Sequence, residues 1–209
     1  MYYGEKLNSI SHLVGSIFSL VALGALLALS IPGGDPRMII GYSVFGLTLV
    51  LLYSMSTLYH SFQAPRLKRI FKVLDHISIY LLIAGTYTPL MLISLNNRTG
   101  ILILVLVWTL ALVGILSEIL LSGKAVKIGQ LLIYLGMGWA CSLDLAGLRA
   151  ALPEMGFLWL AAGGLTYTLG IVFYLLDKLH WLNHAHGIWH FFVLLGSTCH
   201  FILIIRYVH

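Results

Sequence analysis

The sequence predicts an all-α integral membrane protein with seven transmembrane helices, and three observations carry that expectation. Of 209 residues, 60% are hydrophobic and only 9% charged, against roughly a quarter charged in soluble domains. The apolar residues fall into seven runs, each near the length of about 20 residues that a spanning helix needs. Short breaks with turn chemistry separate them, such as Pro32-Gly33-Gly34-Asp35-Pro36 and Asn96-Asn97. The whole chain, 1–209, reads as one membrane domain.

The first run, 11–31, follows Glu5, Lys6 and Asn8. It is too long for the core of a signal peptide and has no small-residue cleavage site, so it is expected to stay as a membrane helix. The second, 38–62, carries Ser56 and His60 at its end. The third, 71–95, opens behind Gln63-Ala64-Pro65 with Asp75 and His76 in its first turns. Run 100–121 holds Glu118 near its end, and 128–148 follows Ser122-Gly123-Lys124 and holds Asp144 near its far end. Run 156–176 follows Leu152-Pro153-Glu154, and the last, 185–208, begins with His186 and His190. Gly15, Gly24, Gly41, Gly46, Gly114, Gly163, Gly164 and Gly170 fall inside runs and predict close helix packing.

Basic residues set the orientation. Lys6, Arg66, Lys68, Arg69, Lys72, Lys124, Lys127 and Lys178 lie on the side of the N-terminus, and Arg37, Arg98, Arg149 and Arg206 on the other. The N-terminus is therefore expected in the cytoplasm and the C-terminus outside. The net charge of +5 belongs to this topology and to contact with anionic lipid head groups, not to nucleic acid. Cys141 and Cys199 are too few for a disulfide framework or a cysteine-rich metal site and read as buried apolar side chains. Tyr2, Tyr3, Trp181 and Tyr207 suit an aromatic belt at the interfaces. An odd number of helices argues against two equal inverted halves of the transporter kind.

That topology brings four ionisable residues to one depth. His60 ends the second helix, Asp75 starts the third, and His186 and His190 start the seventh, all near the predicted cytoplasmic face. His186 and His190 are four residues apart and share a helix face, as do Ser56 and His60. Ionisable groups inside a membrane are costly and mark function by default. A lone membrane histidine commonly serves as an interhelical hydrogen-bonding group, and His-x-x-x-His by itself says little; the coincidence of depth is what points to metal. Three imidazoles with one open position form the ligand set of a catalytic zinc site, whereas structural sites close with four ligands, usually including thiolates. Zinc there makes a nucleophilic water available near neutral pH. Asp75 then either holds and deprotonates that water or anchors a ligand from behind, and Ser56 hydrogen-bonds the water or a developing oxyanion. Glu5, Asn8 and His12 either brace the site or cap the first helix. His76, adjacent to Asp75, is expected to point to the interface, Glu118 to pair with Lys124 or a neighbouring helix, and His200 to lie too deep to join the site.

At these residues the chain resembles the hemolysin III branch of the progestin and adipoQ receptor superfamily, bacterial type. The resemblance rests on Glu5-x-x-Asn8-x-x-x-His12, Ser56-Thr57-Leu58-Tyr59-His60, and Leu74-Asp75-His76-Ile77-Ser78-Ile79-Tyr80 through Ala84-Gly85-Thr86-Tyr87-Thr88-Pro89. It rests also on His186-Gly187-Ile188-Trp189-His190 with Gly196-Ser197-Thr198-Cys199-His200-Phe201. The resemblance implies seven helices with the N-terminus inside, and zinc held by His60, His186 and His190. It matches Asp75 to an acidic residue contacting the metal's water, and Ser56 to the nearby serine. Relatives include adiponectin receptors with ceramidase-like activity. Their long cytoplasmic N-terminal region has no counterpart in this sequence, so hormone recognition is not carried over.

Three functions follow as expectations. The first is a zinc-dependent hydrolase of lipid amide or ester bonds in the bacterial cytoplasmic membrane, its substrate entering laterally from the bilayer. The second is a non-catalytic sensor or homeostasis protein with a structural zinc. The third is a channel or pore, which the apolar outer halves of the helices hardly support; a secreted pore former also needs a soluble state that this composition denies.

Overall fold

A computed structural model describes residues 4–209; Tyr2 and Tyr3 lie outside the described residues. Among these the chain is helical with no strand, and seven helical segments are long and apolar enough to cross a membrane. They are α1 (Lys6–Gly33), α2 (Pro36–Ser61), α3 (Pro65–Pro89, extended by a π-helical turn, Leu90–Ser94), α4 (Arg98–Leu120), and a broken fifth span. That span consists of α5 (Lys124–Gly138), a 3-10 turn (Ala140–Asp144) and α6 (Leu145–Ala151). The last two are α7 (Glu154–Lys178) and α8 (Ala185–Tyr207).

Several helices begin before the apolar runs do: α1 at Lys6 rather than 11, and α3 at Pro65 rather than 71. Apolar composition marks the part of a helix in hydrocarbon, while the ends are set by capping. Pro36 and Pro65 occupy first-turn positions, where the missing N–H costs nothing. Asp35 accepts from the Arg37 amide at 2.9 Å, and Asn97 from the Gly100 amide at 2.9 Å. Gly34, at φ +69°, ends α1 in the left-handed conformation that glycine adopts without penalty.

Hydropathy did not announce the break in the fifth span, predicted as one helix over 128–148. Trp139 follows the end of α5, and the chain turns through Ala140–Asp144 before Asp144 caps α6 at the Gly147 amide, 2.9 Å away. Irregular backbone at membrane depth is tolerated only where protein satisfies it. Here the Tyr87 hydroxyl donates to the Gly138 carbonyl at 2.9 Å and accepts from the Cys141 amide at 2.9 Å.

Neighbouring helices pack as antiparallel hairpins, α1 with α2, α2 with α3, and α7 with α8, and α1 returns against α8. α3 is the most enclosed span. A Cβ on Gly41 would lie 2.9 Å from the Pro89 Cα, and one on Gly114 2.2 Å from the buried Tyr80 ring, so both glycines permit a close approach. Gly24 and Gly164, expected to do the same, have nothing within 4 Å of that position. Both cysteines are free thiols.

Candidate metal centre

The starts of α1, α3 and α8 and the end of α2 share one end of the bundle, and the predicted ionisable residues meet there. His60, His186 and His190 each offer a ring nitrogen, and these lie within 4.8 Å of one another. Ring centroids are 5.1 Å apart for His60–His186, 5.0 Å for His60–His190 and 4.9 Å for His186–His190. His190 is fully buried and His60 nearly so.

The opposite ring nitrogens explain how these side chains are aimed. His60 Nδ1 donates to Glu5 Oε2 in a short contact, and His186 Nδ1 to Asp177 Oδ2 at 3.3 Å. His190 Nδ1 donates to the Asn8 carbonyl at 3.1 Å, with Ser11 Oγ 3.2 Å away. A carboxylate and a carbonyl only accept, so Nδ1 carries a proton in each ring, and in the neutral imidazole this leaves Nε2 with its lone pair. Nε2 of His60 and of His190 are buried with no partner. Metal-ligating histidines are held from behind in this way, and a buried polar atom left unpaired calls for a reason. The set therefore fits a metal ion.

Glu5 caps nothing with its side chain. Partial burial pushes its carboxyl up, but the hydrogen bond from His60 and the hydrogen bond and charge of Lys68, 3.1 Å away, outweigh this and hold it below the usual carboxylate range. It is thus a standing carboxylate for His60. Asn8 contributes its backbone carbonyl, and its side-chain amide donates to Glu5 at 3.4 Å. His12 lies flat on His190, centroids 3.6 Å apart, with its edge to Tyr53. All three thus sit behind or beside the histidines. Asp75 is buried beside Ser56, within electrostatic reach of His60.

One expectation is corrected: His76, expected to point to the interface, finds its partner inside the bundle, its Nδ1 meeting Glu118 Oε1 at 2.9 Å. Glu118 pairs with neighbouring helices, the second of its two expected partners: Lys127 of α5 lies 3.0 and 2.8 Å from its two oxygens, and it takes the place of Lys124 because it stands about one helical turn further along α5. His200 lies apart as expected, buried against Tyr167. Asp177 and Ser11 went unnoticed in the sequence. The signal for Asp177 was faint: a lone acid ending α7, a short loop before His186.

Two openings reach the cluster. A polar vestibule lined by Glu5, Asn8, Asp177 and His184 leads to His60 and His186. On the other side an apolar cavity of about 210 Å³ runs between α3, α5, α7 and α8, with Asp75, His12 and His186 in its wall.

A family profile described as "Haemolysin-III related" matches residues 2–201. The chain belongs to that family. It is 41% identical to "Hemolysin-3" of Bacillus cereus, over 98% of this chain and 91% of that one. It is 38% identical to "Hemolysin-3 homolog" of Bacillus subtilis (strain 168), over 97% and 93%. The human "Monocyte to macrophage differentiation factor" is 29% identical over 79% of this chain and 69% of its own. This haemolysin-III-related chain thus carries its histidine cluster at one end of seven helices long and apolar enough to span a membrane.

Replacing Asp177 with asparagine leaves His186 in place but weakens the acceptor that fixes its Nδ1 proton. Metal affinity is expected to fall about 10- to 100-fold, read by competition with a chromogenic chelator. Unchanged affinity would deny Asp177 that role.

Proposed function

We propose that the protein is a zinc-dependent hydrolase of lipid amide or ester bonds, ceramidase-like, acting in membrane lipid homeostasis. One observation carries this reading: three histidines, each fixed at Nδ1 by an acceptor, turn their free nitrogens together where a polar vestibule and an apolar cavity meet. A structural site needs no such junction; hydrolysis of a lipid needs water from one side and acyl chain from the other.

Three imidazoles with no thiolate suit zinc with an open position. Zinc bound there supplies Lewis acidity that polarises a carbonyl and makes water acidic near neutral pH. His60, His186 and His190 hold it; Glu5, Asp177 and the Asn8 carbonyl keep the three rings turned the right way. Asp75 takes the proton of the attacking water and passes it to the leaving amine or alkoxide. Ser56 holds the Asp75 carboxylate with its one hydroxyl proton, and once Asp75 has taken the proton of water that hydroxyl turns to donate to the oxyanion. The cavity wall keeps bulk water off the acyl chain. On the distribution of basic residues, this chemistry faces the cytoplasm.

Purified protein loaded with zinc is expected to release fatty acid from amide- or ester-linked lipids in mixed micelles. Chelation should abolish release and added zinc restore it. Fully loaded protein inert towards both linkages would leave the sensor reading standing instead.

A further inference from the structure

Lys72 on α3, Lys127 on α5 and Lys178 at the end of α7 all line the apolar cavity at the end that holds the metal cluster. They stand close enough for their charges to repel. Lys127 has Glu118, a carboxylate already shared with His76. Lys178 faces the Tyr174 ring at 5.3 Å, and among the described residues neither Lys72 nor Lys178 has a carboxylate within 4 Å. Below this rim the wall turns apolar, through Leu131, Leu135 and Ile171 to Trp139 and Leu160. From Lys127 to Trp139 is about 18 Å along a helix, deep enough for an extended acyl chain. α5 lies against α3 and α4, whereas α7 lies against α8, which leaves the side between α5 and α7 weakly closed.

Glu118 answers Lys127 and Asp75 lies in the same wall, so three lysines against two carboxylates leave one positive charge in excess at this end; that excess calls for an anion, and an apolar depth calls for a chain. We propose that the cavity binds a lipid bearing one anionic group, its chain between α3, α5, α7 and α8 and its charge on Lys72, Lys127 and Lys178. The inference deepens the hydrolase reading by giving the substrate a charge, but binding needs no turnover, so the two fail separately. The anionic group is a head-group phosphate or a carboxylate, and both belong in the test.

Trp139 and Trp189 line the cavity, so bromine on a lipid chain will quench their fluorescence. Full-length protein in uncharged detergent, loaded with zinc, is titrated with chain-brominated lysophosphatidylglycerol, fatty acid and lysophosphatidylcholine. At least one of the two anions is expected to bind about tenfold tighter than the zwitterion, and the tighter one identifies the group recognised. Lys72→Gln with Lys178→Gln should bring anion and zwitterion to near parity, the anion losing most, while zinc content stays unchanged. Equal affinities in the wild type, a preference that survives the double substitution, or no quenching by any probe overturns the proposal. Loss of hydrolysis with this preference intact would instead count against the hydrolase reading alone.

Discussion

Replacing His186 and His190 together with alanine is expected to empty the site. Wild-type protein purified gently in detergent should carry roughly one zinc per chain, as three imidazoles with one open position would hold, and the double variant background levels, measured by mass spectrometry of the metal. Two of three ligands are gone, and the surviving His60 cannot retain an ion alone. Because His190 is fully buried, its truncation also opens a void, so metal loss needs a control for folding. Thermal unfolding provides one. A ion bound only to the folded chain stabilises it, so chelator should lower the unfolding temperature of the wild type and leave that of the variant unmoved. His186→Ala alone, at a less buried position, should show the same loss with less disturbance. Wild type that neither retains nor takes up zinc would turn the cluster into a polar packing element and sink the hydrolase reading with it.

The seven spans and the meeting of His60, Asp75, His186 and His190 were legible in the sequence because both depend on one-dimensional quantities. Apolar run length gives the spans, and parity of the helix count gives the end at which each residue lies. What was not legible depends on contacts across helices. Nothing along α3 says that His76 will find Glu118 of α4, since adjacency to Asp75 fixes only the direction in which it leaves the helix. The choice of Lys127 over Lys124 follows from the rotation of α5 about its axis, which composition leaves open. The break after Gly138 escaped because its cause, the Tyr87 hydroxyl serving both Gly138 and Cys141, comes from another helix. Asp177 escaped because a single acid at a helix end carries no pattern until its partner is in view. For Glu5, Asn8 and His12 the sequence left bracing and capping open. Glu5 aims its carboxylate at His60 and makes no cap, which decides for bracing in its case.

Asp75→Asn separates catalysis from binding more sharply than any other single change. Asp75 is buried on α3 beside Ser56, and asparagine keeps its volume and one accepting oxygen there. Its carboxamide cannot take a proton from water. If Asp75 is the general base, lipid hydrolysis should fall about 10²- to 10⁴-fold, or about 3–5 kcal/mol in the barrier. Asp75 is not among the three grouped histidines, so zinc content should stay near that of the wild type. Nor does it belong to the lysine rim, so lipid quenching should persist. An anchoring role predicts a different pattern: zinc affinity falls and turnover falls in proportion to the metal lost, recovering when zinc is added in excess. A sensor with a structural metal predicts that no turnover was there to lose. Wild-type turnover in a fully loaded Asp75→Asn protein would remove Asp75 from the chemistry and leave the open position of the histidine set to another base. Metal content, lipid binding and turnover, measured on one purified variant, therefore tell the three roles apart.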